Sequence, residues 1–158
     1  MVGALAVKQA MQVLYPHQPI DRTNLRAVSK PSPCLTDVAV YVTGGRYQFN
    51  TFYVDARFNG LFILQRIDNG QAVSVSPNEG SKPAEIDSLG AVAIRQELPP
   101  CELDHLRQLE DRFTETLLNT NPAELFTVRE IPGFEWNPVL KNDYLKTDVL
   151  NKNAAPCN

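Results

Sequence analysis

Cys101 and His105 stand four residues apart in CELDHLRQLEDRFTETLL, so on a helix their side chains share one face. A thiol at a helix N-terminus has its thiolate favoured by the dipole, and an imidazole one turn on could take its proton. That is the minimal form of a thiol nucleophile. Glu102 and Asp104 oppose it, because neighbouring carboxylates disfavour a second negative charge. No orienting Asn or oxyanion loop stands nearby. A cap-region cysteine and a surface histidine are therefore the expected roles, and no catalytic residue is assigned.

The same pair could join Cys34, Cys157 or His17 as zinc ligands drawn from distant segments, but no compact CxxC or HxxxH spacing supports this. There is no GxSxG, P-loop, GxGxxG or HExxH, so neither metal nor cofactor is expected. Each of the three cysteines directly follows a proline, in SPC, PPC and APC. An odd, sparse set reads as free thiols in a reducing compartment, with one loop-closing bridge in an exported protein as the alternative.

Binding residues are sought where aromatic or charged side chains sit in irregular sequence. Trp136, the only tryptophan, follows Phe134 in a stretch without steady period that also carries Tyr144 and Leu145. Aromatic anchors of this kind either dominate an interface or plug the end of their own core. Arg22 and Arg26 lie in the proline-rich connection 15–34, whose length inside a compact domain marks it as functional or partner-covered.

A net charge of −3 argues against a nucleic-acid partner, which would need clustered Lys and Arg. The charge is unevenly spread. Residues 1–50 carry Lys8, Arg22, Arg26, Lys30 and Arg46 against Asp21 and Asp37, while 79–124 is strongly acidic. Such polarity favours contacts between protein surfaces, whether copies of the chain or neighbouring subunits. No apolar run approaches a membrane span, so a soluble chain is expected, in the cytoplasm or an assembled particle rather than secreted.

The elements that must position these residues follow from periodicity. Segment 2–14 has the apolar stripe of a helix, with Val7, Met11 and Leu14 in phase, and Pro16 stops it. Four strands are predicted at about 36–43, 46–58, 61–68 and 71–76, turning at Gly44-Gly45, Asn59-Gly60 and Asn69-Gly70. Worked out from those turns, the registers leave apolar residues on both faces of the sheet. A fifth strand is expected around Val92 and Ile94, a helix over 101–118, and a last strand over 125–131.

The fold class is thus α+β: a five- to six-stranded, mainly antiparallel sheet with an N-terminal helix, a second helix at about 101–118, and an irregular tail. One domain over 1–131 and a docked tail over 132–158 are expected. In architecture, though with no motif residue to carry over, this layout is similar to ring-forming phage tail-completion proteins and, more loosely, to dimeric secretion chaperones. That likeness implies a non-enzymatic, self-associating assembly subunit of virion or secretion type. The alternatives are a small-ligand carrier or enzyme with Tyr47, Tyr53 and Phe62 walling a pocket between sheet and helix 101–118, and a thiol enzyme using Cys101 and His105.

Overall fold

A computed structural model describes residues 1–137 and shows an α+β fold with five strands and five α-helices among them. The described residues form two compact units, one made of Val2–Ser76 with those from Val128 onward, the other of Pro77–Thr127. None of the described helices is long and apolar enough to cross a membrane.

In the first unit, α1 (Val2–Leu14) buries Ala6, Val7, Ala10, Met11 and Leu14, the stripe that its spacing predicts. A short 3₁₀ turn, Arg22–Asn24, is capped by the Asp21 carboxylate, which accepts from the Thr23 N–H, and leads into β1 (Leu25–Ser29). The sheet order is β2-β1-β3-β4-β5, with β2 (Phe52–Val54), β3 (Phe62–Arg66), β4 (Ala72–Pro77) and β5 (Phe126–Glu130). The β1–β3 and β3–β4 pairs are antiparallel, but β1 and β2 run parallel. Asn59-Gly60 therefore makes no hairpin. Gly60 (φ +122°) instead lets the backbone pass β4, where a Cβ would sit 2.7 Å from the Val75 carbonyl oxygen.

Three other expectations are corrected. Val38, Val40 and Val42 lie not on a strand but in α2 (Pro33–Thr43). Ser32 caps it, Pro33 opens it, and Gly44 closes it in the left-handed conformation (φ 70°), and these end signals outweigh the β-branched preference of the valines. The buried side chains of α2 are small, Ala39 and Thr43, one turn apart. Val92 and Ile94 likewise belong to a helix, α3 (Ala84–Ile94), whose first turn carries Glu85 and Asp87. Finally, β1 lies inside the 15–34 connection, where no strand is expected. It is a central strand of five residues, four of them buried.

Both faces of the sheet are indeed apolar. In the observed register Phe52, Phe62, Leu64, Val73 and Val75 share one face with Ala27 and Ser29. That face meets α1 and α2: a Cβ on Gly3 would stand 3.2 Å from Leu35 Cδ2 and 3.4 Å from Phe62 Cζ. On the other face Val28, Tyr53, Ile63 and Ala72 form a cluster covered by Phe58, Ile131, Phe134 and Trp136. Ile131, Phe134 and Trp136, just past β5, thus lie on the side of the sheet opposite the two helices.

In the second unit α3 packs on α4 (Pro100–Asn119), with Gln96 turning between them at φ 60°. A single-turn helix, α5 (Pro122–Leu125), follows, capped by Asn121. Eleven residues of α3 span about 16 Å and twenty of α4 about 30 Å at ~1.5 Å per residue, so α3 can shield only part of the leucine stripe. Leu106 and Leu117 are buried, whereas Leu103, Leu109 and Phe113 stay half-buried. Ile94 is 85% exposed and Leu118 67% exposed.

Candidate functional site

The best-organised group of functional side chains lies on the sheet face covered by residues 131–136. Arg26 on β1 and Gln65 on β3 are register partners, and the Arg26 Nε donates to Gln65 Oε1 at 2.8 Å. Gln65, only 2% exposed, uses its amide nitrogen twice, donating to the carbonyls of Gly70 (2.7 Å) and Phe134 (3.2 Å). Those two acceptors fix which way the amide faces, and so present its oxygen to Arg26.

Trp136 stacks on Arg26. Its ring centroid is 4.6 Å from Arg26 Cζ and 4.8 Å from the Tyr53 ring, which it meets edge to face at 70°. Its indole N–H donates to Asn50 Oδ1 at 3.3 Å. Asn50 adopts a left-handed conformation (φ 53°) that asparagine tolerates better than most residues, and this ends the Tyr47–Phe49 turn. Burial pushes the Arg26 guanidinium below its ordinary pKa, with Tyr53 opposing. Burial also raises the Tyr53 hydroxyl, helped by the Asp55 charge and opposed by Arg57 and Arg26.

The residues singled out from sequence are thereby sorted. Phe134, Trp136 and Arg26 come together, while Tyr144, Leu145 and Cys157 lie outside the described residues. Arg22 has a different task, donating through Nε to the Val42 carbonyl (2.6 Å) and through Nη2 to that of Tyr41, at the negative end of α2. Cys101 is exposed in the first turn of α4, and His105 Nε2 sits 3.0 Å from Glu85 Oε1 on α3. Cys34 is exposed near the start of α2 and is a free thiol, as is Cys101. Among the described residues no three His, Cys, Asp or Glu side chains converge as metal ligands would.

The pocket reading fails on register. Phe62 pairs with Ser29 and Tyr53 with Val28, so their side chains leave opposite faces of the sheet. Tyr47 packs edge-on against Phe52, on the Phe62 side. These three cannot wall one cavity. Sequence reasoning missed Gln65 and Asn50; the available signal was a glutamine inside the apolar run FILQR.

No curated protein matches the chain. Residues 1–127 do match a family model, described as FmdE, Molybdenum formylmethanofuran dehydrogenase operon. That description points to the setting of an enzyme, and it overturns the expectation of a virion-type or secretion-type structural subunit. Molybdenum there qualifies the dehydrogenase, and no residue of this chain is assigned to holding it. With the match running from Met1 through Thr127, the chain belongs to the FmdE family.

Proposed function

We propose that this protein is an accessory factor of a molybdenum formylmethanofuran dehydrogenase, working through contact with the enzyme's subunits. The observation that carries this reading is the family match over residues 1–127, whose description names that operon. Two structural features support a protein-binding role. Ile94 and Leu118 are large apolar side chains held out to solvent on helices. The hairpin carrying them is acidic, with Glu85, Asp87, Glu97, Glu102, Asp104, Glu110, Asp111 and Glu115 against Arg95, Arg107 and Arg112 over residues 84–119, which would steer it toward a basic partner surface.

The test is affinity purification of the tagged chain from cells that make the dehydrogenase. Recovery of the dehydrogenase subunits in fixed proportion, resistant to a moderate-salt wash, is the expected result. A chain recovered alone, from cells whose dehydrogenase is equally active without it, would overturn the proposal.

A further inference from the structure

Arg26 and Arg66 form a natural pair for comparison. Each guanidinium carbon lies 4.6 Å from an aromatic centroid, Trp136 for Arg26 and Tyr15 for Arg66. Arg66 also holds its own carboxylate, with Nε 3.0 Å and Nη2 2.6 Å from the Asp68 oxygens. Arg57, Arg95 and Arg107 are likewise paired, with Asp55, Glu97 and Asp104. Among the described residues Arg26 has no acidic partner, although burial alone is enough to depress its pKa.

A cation taken partly out of water without an anion is costly. Here the cost is borne by a fixed frame. The Arg26 Nε is committed to Gln65, and Gln65 is itself pinned by two backbone carbonyls. The Nη1 and Nη2 N–H groups make no hydrogen bond among the described residues. They are the planar fork that matches a carboxylate or phosphate, and the side chain is not fully buried.

We infer that Arg26, stacked on Trp136 and oriented by Gln65, anchors a binding site for an oxyanion, the carboxylate or phosphate group of a small ligand. The ligand's charge completes the ion pair that Asp68 supplies to Arg66. Trp136 gives an apolar wall for the part of the ligand next to the charged group. The site is independent of any dehydrogenase contact, and each can fail without the other.

Trp136, the only tryptophan of the chain, reports on the site directly. Its fluorescence in the full-length protein is followed during titration with sodium acetate and with inorganic phosphate, against sodium chloride at matched ionic strength. Saturation with acetate alone identifies a carboxylate ligand, saturation with phosphate alone a phosphate ligand, and saturation with both a general oxyanion site. Arg26→Met, checked for folding by circular dichroism, is expected to abolish saturation. Arg26→Lys keeps the charge but loses the fork, and is expected to weaken binding roughly tenfold or more; it decides the matter if Arg26→Met does not fold. The inference is overturned if all three salts give the same shallow, non-saturating response, or if a folded Arg26→Met or Arg26→Lys titrates like the parent.

Discussion

In the unit built on the sheet, Phe52, Phe62, Leu64, Val73 and Val75 are almost wholly buried, whereas in Pro77–Thr127 the twenty-residue α4 buries just Leu106 and Leu117. The sheet unit has two apolar faces and a cover for each, helices on one and residues 131–136 on the other. The helical pair has one stripe and a partner helix half as long. Tight burial in the first makes it the seat of stability. Incomplete burial in the second leaves large side chains available to another protein.

The sharpest way to break that contrast is to compare one residue from each unit. Phe62→Ala should cost about 3–5 kcal/mol in denaturant unfolding, the usual penalty for a large aromatic lost from a packed core. Ile94→Ala, at a side chain 85% exposed, should stay within about 0.5 kcal/mol. Equal costs would mean the two units are packed alike.

Next in size is Gly60→Ala, which combines φ +122° with a Cβ 2.7 Å from the Val75 carbonyl oxygen. A loss of about 1–3 kcal/mol is expected from overpacking, with strain added to it. An unchanged midpoint would show that the β2–β3 connection can relax.

Gln65→Leu tests the polar core of the site. It removes partners from the Gly70 and Phe134 carbonyls and from Arg26 Nε together, for a cost of about 1–3 kcal/mol. Trp136 emission should shift as Arg26 loses its orientation. A stable variant with unaltered emission would mean that water replaces the amide at no cost.

The smallest effects are those of pH. Hydrogen bonds from Arg66 hold the Asp68 carboxyl below its ordinary pKa of 3.8, and Arg57 does the same for Asp55. Their contribution is fully present above that ordinary value and fades as pH falls through the lower folded one. Tyr53 and Tyr15 are raised above 10.0, chiefly by burial, so their contribution holds below that value and is lost as pH climbs toward the folded pKa. Denaturation midpoints measured across pH should therefore fall at both ends, and Tyr53→Phe should flatten the alkaline end. A Tyr53→Phe variant with the parent's alkaline slope would remove Tyr53 as the cause.

What could be read from sequence divides along the same physical lines. Helix α1 is legible because its stripe has period and a proline stop, and α4 because its leucines recur on one face. Strands β3 and β4 are legible from apolar runs flanking Asn69-Gly70. Their register is offset by two residues, since the loop is longer than that dipeptide: Arg66 bonds Gln71 across it and Leu64 faces Val73. Helix α2 was hidden by its valines, and its true face by the smallness of Ala39 and Thr43. Strand β1 was hidden by its shortness among prolines, and its parallel pairing with β2 is a long-range fact that no local turn announces. At the site, Arg26, Phe134 and Trp136 could be suspected one by one. What joins them is Gln65, a single polar residue whose meaning depends on two strands and a distant carbonyl.

The central claim, that this chain binds a dehydrogenase subunit through surface its own fold leaves open, is tested most directly by light scattering on a mixture of the purified chain and purified dehydrogenase. The account predicts one species whose mass is the sum of both, lost when Ile94→Asp and Leu118→Asp are combined in a chain that still folds. Two independent species, with the masses each component shows alone, would contradict it.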